Sequence, residues 1–158
     1  MIRRLTVDDI DAFRELREEA MRLYPESFGS PEEEAGGETR DAAYRGYLKS
    51  DLWGDFDNGT LVGTIGFHIH PEKNYGQIFS MYVRSAYQDK GIGDRLVKNV
   101  LKVAENQVEQ IHVCVVHTAE AALKTFLKNG FEICHTDAQA FCLNDTTYDE
   151  HLLVKKLR

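Results

Sequence analysis

Gln88-Asp89-Lys90-Gly91-Ile92-Gly93 is the stretch on which the reading of this chain turns. An apolar, strand-like run at 78–83 precedes it, and a helical pattern begins at Ile92. Strand, glycine-bearing loop and helix start together make a phosphate cradle. Glycine lets the backbone come close, and the first-turn N–H groups, which have no partner inside the helix, point at the anion. Two common phosphate binders do not fit. A Walker loop needs Gly-x-x-x-x-Gly-Lys-Ser/Thr, which the chain lacks. A dinucleotide fingerprint needs a small residue three positions after Gly93, and Leu96 stands there.

Outward from this loop, hydrophobic periodicity sets the elements. Residues 2–5 predict a short strand. Thr6 and Asp9 form a capping-box-like start, followed by a helical stripe of Ile10, Phe13, Leu16, Ala20 and Leu23 up to Pro25. Residues 25–37, rich in Pro, Gly, Ser and Glu, predict a loop, and 39–50 a second helix with Ala43, Tyr47 and Leu48 inward. Runs at 53–57 and 61–69 flank Asn58-Gly59, a strong hairpin signal. A turn at 71–76 leads to a third strand at 77–83. The helix over 92–105 presents Ile92, Leu96, Val97, Val100, Leu101 and Ala104 on one face. Residues 111–116 are an apolar, β-branched strand. Thr118 is the expected cap of a helix with Ala119, Ala122, Leu123, Phe126 and Leu127 inward, ended by Gly130. Two closing strands follow at 131–141 and 148–157. The order β-α-α-β-β-β-α-β-α-β-β predicts one α/β domain over 1–158, a mixed sheet with helices on both faces.

A chain of 158 residues suits a single domain with a real core. Its net charge of −7 argues against nucleic acid and acidic membrane as main partners. Acids crowd Glu32-Glu33-Glu34 and the first helix, while Arg84, Lys90, Arg95, Lys98, Lys124 and Lys128 fall around the anion loop. Cys114, Cys134 and Cys142 lack a Cys-x-x-Cys spacing, so neither a zinc site nor a disulfide framework follows. No metal constellation is read, and Cys114 is expected to be a small core residue. No run approaches the roughly 18 apolar residues of a membrane span, and no apolar export stretch opens the chain, so a cytoplasmic protein is expected.

Three segments carry a family resemblance. They are Met81-Tyr82-Val83 running into Gln88-x-x-Gly91-x-Gly93, Ala122-x-x-x-Phe126-x-x-x-Gly130-Phe131, and Leu61-Val62-Gly63 after the Asn-Gly turn. With the element order they resemble the GCN5-related N-acetyltransferases (GNATs), whose signature reads Gln/Arg-x-x-Gly-x-Gly/Ala, across essentially the whole chain. Pro25-Glu26-Ser27-Phe28-Gly29-Ser30 with the three glutamates is similar to a stretch in one branch of that family. The resemblance implies the GNAT fold and transfer of an acetyl group from acetyl-CoA to a primary amine. It implies that Gln88, Asp89, Lys90, Gly91, Ile92 and Gly93 hold the CoA pyrophosphate, the helix N-terminus adding about 0.3–1 kcal/mol. It also implies a bulge that splays the strand ending at Val83 from the strand ending at Val116. The pantetheine arm would lie in that gap, bonded by backbone groups of Met81 and Val83. A backbone N–H near Met81 or Tyr82 would face the thioester oxygen. Ala119 and Phe126 would border the cosubstrate. Ala119 stands where many members have asparagine, and Phe126 where a tyrosine is often proposed to protonate the thiolate. Gln77 stands where some members have a base glutamate.

The implied chemistry needs a deprotonated amine and a place for negative charge. A thiol pKa of about 8.5 makes thiolate a tolerable leaving group, so Phe126 is compatible with turnover. For the base, histidine has the pKa nearest neutrality. His117 is expected at the end of the strand beside the pantetheine arm. His68 is expected opposite Gln77 if the chain turns near 72–73, and a slip of one residue would turn it to the other face. A water chain is the alternative. His70 and His112 are expected in solvent positions. Glu32, Glu33 and Glu34 are candidates to attract a cationic amine, with Tyr24, Phe28, Tyr44 and Tyr148 lining its pocket. The acceptor is a small-molecule or peptide amine, and the resemblance makes a homodimer an available state. Two other readings stand beside this one: a GNAT-fold module that binds acyl-CoA without turnover, and a nucleotide-binding domain of another class.

Overall fold

The computed structural model describes residues 1–28 and 51–157. The expected helix at 39–50, the three glutamates at 32–34 and Tyr44 lie outside the described residues. Seven strands form one sheet. They are β1 (Ile2–Arg4), β2 (Asp51–Asp57), β3 (Thr60–His70), β4 (Tyr75–Val83), β5 (Gln110–Val116), β6 (Glu132–Leu143) and β7 (Thr146–Lys156), in the order β1-β2-β3-β4-β5-β7-β6. Neighbours run antiparallel except β4 and β5, which are parallel. The helices are α1 (Ile10–Leu23), the single turn α2 (Pro25–Phe28), α3 (Ile92–Ala104) and α4 (Glu120–Lys128).

The Asn58-Gly59 turn forms as the sequence predicts. Both residues have positive φ, 48° and 81°, the backbone twist a two-residue hairpin needs. α1 packs Phe13, Leu16 and Ala20 against Leu5, Leu52, Leu61 and Tyr82 on one sheet face. α3 packs Leu96, Val97 and Val100 on the other, against Phe67, Ile78, Ile111 and Leu153. Burying each such side chain contributes about 1.5–3 kcal/mol, so both faces are anchored.

Several local expectations are corrected. Residues Pro25–Phe28 are a helical turn rather than loop. Leu23 is exposed, and Met21 takes its place inside α1. Ala119, not Thr118, is the cap of α4, and Leu127 points outward, so the buried side of that helix is narrower than its apolar spacing suggested. Cys114 is exposed rather than core. Its neighbours Ile111, Val113 and Val115 face the α3 side, and strand alternation turns Cys114 the other way. Among the described residues no helix is long and apolar enough to cross a membrane.

Candidate active site

The ladder between β4 and β5 has three residue pairs, Tyr75↔Gln110, Gly76↔Ile111 and Gln77↔His112. Beyond them the strands part, because β4 carries a bulge. Phe79 pairs with Gly66 and Tyr82 with Thr64, so Ser80 and Met81 both oppose Ile65. Ser80 has a φ of 50°, rare for a residue with a side chain. Two bonds hold it there. The Thr64 hydroxyl donates to the Ser80 carbonyl at 3.0 Å, and Arg17 of α1 donates to the Ser80 hydroxyl at 3.2 Å.

The parted strands open a cleft of about 1190 Å³ that reaches from α1 and α2 to α3 and α4. At the α3 end stands the glycine loop. Asp89 and Gly91 have φ of 63° and 80°, and Gly91 is the cap residue of α3. The Gln88 side-chain amide donates to the Val83 carbonyl at 3.0 Å, tying the loop back to its strand. Gly93 meets no steric demand from the protein. A Cβ there would sit 3.9 Å from Val83, in ordinary contact, so packing alone does not require glycine at this position.

Met81, Tyr82, Val83, Gln88, Asp89, Gly91, Ile92, Gly93, Ala119 and Phe126 all line this one cleft. Lys90 does not. It is exposed, with its ammonium 5.3 Å from the centre of the Tyr87 ring. Phe126 is 1% exposed and packs edge-on against Phe131, an apolar border with no proton to give. Tyr24 and Phe28 line the α1 end, whereas Tyr148 stacks on Phe141 away from it.

The two favoured histidines separate. His68 lies opposite Gln77, as the hairpin length predicts, and lines the cleft. His117 is exposed outside the lining, where its Nδ1 accepts the Asp149 N–H at 3.0 Å. His70 and His112 are not solvent residues. They are half-buried and stack on either side of Tyr75, at 4.7 and 4.2 Å between ring centres. Burial, and to a lesser extent the nearby His70, pushes the His112 pKa down.

The basic cluster around the loop is largely neutralised by partners. Arg84 pairs with Glu19 at 3.7 Å and Arg95 with the buried Asp55 at 3.2 Å. Lys98 and Lys128 both pair with Asp94, which also accepts from the Asn129 amide at 2.8 Å. The bonds from Lys98 and Asn129 hold the Asp94 carboxyl down at about 2.

Sequence reasoning missed Thr64, Arg17 and Glu19. Glu19 accepts the Tyr82 hydroxyl at 2.6 Å and the Ser85 N–H at 3.1 Å. That bond, together with burial of the phenol, raises the Tyr82 pKa, burial being the larger cause. No spacing announces these residues, since each acts across the fold on a strand remote in sequence.

Solved structures share this architecture. The yncA protein of Salmonella typhimurium, solved with its cofactor acetyl-CoA, superposes with a TM-score of 0.84 at 18% identity, covering 100% of this chain and 94% of that one. A GNAT-family acetyltransferase from Streptococcus pneumoniae gives 0.83 at 16%, covering 100% and 99%. The paia N-acetyltransferase of Thermoplasma acidophilum, solved with coenzyme A, gives 0.77 at 19%, covering 99% and 98%. The sequence profile of the Acetyltransferase (GNAT) family matches residues 13–131, which include the bulged strand, the glycine loop and α4. The chain belongs to the GNAT acetyltransferase family.

Proposed function

We propose that the protein is an N-acetyltransferase that moves the acetyl group of acetyl-CoA to a primary amine by direct attack. The observation that carries this is the parting of β4 from β5 beside the start of α3. One continuous cleft there offers strand-edge backbone, then helix-start N–H groups, in the order a pantetheine arm and a pyrophosphate need. A glycine at position 93 supports the fit, because the protein's own packing does not require one there.

In this reading Met81 and Val83 bond the pantetheine amides as an added strand would. The N–H groups at Gln88 to Gly93 receive the pyrophosphate. A backbone N–H at Met81 or Tyr82 stabilises the charge that builds on the thioester oxygen. The amine nitrogen bonds to the acetyl carbon, the C–S bond breaks, and the surplus amine proton passes to His68 or to water. CoA leaves as thiolate and takes its proton from solvent. Phe126 offers none, and the Tyr82 hydroxyl is already engaged as a hydrogen-bond donor to Glu19. His68 is preferred to His117 because it borders the cleft. The residues facing the α1 end would form the acceptor wall, for a small molecule or a peptide.

The buried, apolar Phe126 is the observation in favour of a second reading, an acyl-CoA-binding module without turnover. Thermal unfolding with acetyl-CoA, CoA, NAD and ATP tests the site. Acetyl-CoA and CoA at about 100 Kd should each add roughly 2.7 kcal/mol, and NAD and ATP nothing. No shift with acetyl-CoA would overturn the reading. Thiol release with an amine panel then separates enzyme from binding module.

A further inference from the structure

The carboxylate of Glu19 gathers three donors that follow closely along the chain. Its Oε2 accepts both the Tyr82 hydroxyl, at 2.6 Å, and the Ser85 N–H, at 3.1 Å. Its Oε1 lies 3.7 Å from the Arg84 guanidinium. The Glu19 side chain is 18% exposed, and its bond from the Tyr82 hydroxyl is part-buried. Tyr82 belongs to the end of the bulged strand. Ser85 opens a single 3-10 turn, Ser85–Tyr87, and Gln88 follows directly. The two segments assigned above to the pantetheine arm and to the pyrophosphate, Met81 to Val83 and Gln88 to Gly93, are therefore joined by the piece of chain that Glu19 grips.

We propose that Glu19 is a positioning residue that sets the spacing between the two halves of the acetyl-CoA site. The proposal rests on the acetyl-CoA reading above and goes beyond it. A ligand that bonds both segments needs them in one fixed register, since an error of about 1 Å at either end strains the other. Gln88 ties the loop to the Val83 carbonyl, and Arg84 donates to the Val62 and Leu61 carbonyls of β3. Among the described residues, the 3-10 turn between them adds no bond beyond its neighbours except the one from Ser85 to Glu19. Its backbone bonds, Tyr87 N–H to Arg84 and the long 3.5 Å Gln88 N–H to Ser85, are local. Glu19 adds a reference from outside the sheet, because it sits on α1, whose own place is set by the packing of Phe13, Leu16 and Ala20. The same helix reaches the other side of the bulge through Arg17 and Ser80. Arg84 balances the Glu19 charge, so an anionic ligand beyond the turn is not repelled.

Calorimetric titration with two probes tests this. CoA spans both segments, and adenosine 3′-phosphate 5′-diphosphate reaches the pyrophosphate loop alone. Glu19→Ala should weaken CoA about tenfold and leave the shorter probe within about threefold of wild type. Glu19→Gln, whose amide oxygen still accepts both bonds, should restore CoA to within about threefold. Unchanged CoA affinity in Glu19→Ala overturns the proposal, and so does an equal loss for both probes. A wild-type protein that binds no CoA overturns the acetyl-CoA reading itself.

Discussion

The Thr64 hydroxyl on β3 donates a 3.0 Å hydrogen bond to the Ser80 carbonyl on β4, and Thr64 is wholly buried. That bond holds the two-against-one bulge at Ser80 and Met81, and the bulge parts β4 from β5. Thr64→Val keeps the shape and removes the donor, leaving a part-buried carbonyl short of a partner at a cost of about 1 kcal/mol. The melting midpoint should fall by several degrees and acetyl-CoA should bind more weakly, while Thr64→Ser restores both. A valine variant with wild-type affinity would detach the cleft from this bond.

Gly93→Leu separates space kept for the ligand from space the fold needs. A new Cβ would make only ordinary contact, 3.9 Å from Val83, so the start of α3 accepts a side chain without a clash at that atom. The variant should melt no lower than wild type, yet lose its stabilisation by acetyl-CoA. Retained acetyl-CoA stabilisation in a folded Gly93→Leu protein would move the pyrophosphate elsewhere.

His68→Gln should lower turnover by about 10²-fold or more near neutral pH, where an imidazole base accepts the amine proton, and the loss should shrink at high pH as hydroxide takes over. His117→Gln should leave the profile in place, because that ring lies outside the cleft lining. The reverse pattern, read from initial rates between pH 5.5 and 9 with one amine, would exchange their roles.

Asp94 gives the fold a dependence on acid. Its folded pKa of about 2 lies below the ordinary value of about 3.9, so the carboxylate favours the folded state. That contribution is complete above about pH 4 and is lost as the pH falls through 2. Asp94 joins α3 to α4 through Asn129 and Lys128. Asp94→Asn should therefore unfold at a lower temperature than wild type at pH 7, and the gap should close toward pH 2. An equal gap at both ends would mean that the charge of the carboxylate is not what stabilises.

What was legible in the sequence was local. Asn58-Gly59 and Gly91 declare themselves because their backbone angles exclude most other residues. The register of His68 against Gln77 followed from counting residues through one turn. The parting of β4 from β5 was expected by family resemblance alone, because the bulge puts a serine at positive φ, with no glycine to mark it. Cys114 was misplaced for a related reason. An apolar strand implies cover on both faces, and here one face of β5 looks into the cleft. The basic cluster misled because Glu19, Asp55 and Asp94 neutralise Arg84, Arg95 and Lys128 from other elements. Those pairings are set by the packing of α1, α3 and α4, whereas Asp94 and Lys98, four residues apart on α3, are a pair that local spacing does encode.

The three-pair ladder from Tyr75 to Gln77 acts like a rivet near one corner of two plates, β1 to β4 on one side and β5 to β7 on the other. The rings of His70, Tyr75 and His112 stack across β3, β4 and β5 at that corner and brace it. A small rotation about that corner would be magnified along the strands, so the aperture at Met81 and Val116 would answer to the closed end as well as to the bulge. Changing the thickness of that ring stack would widen or narrow the mouth by leverage, without altering a single residue of its rim.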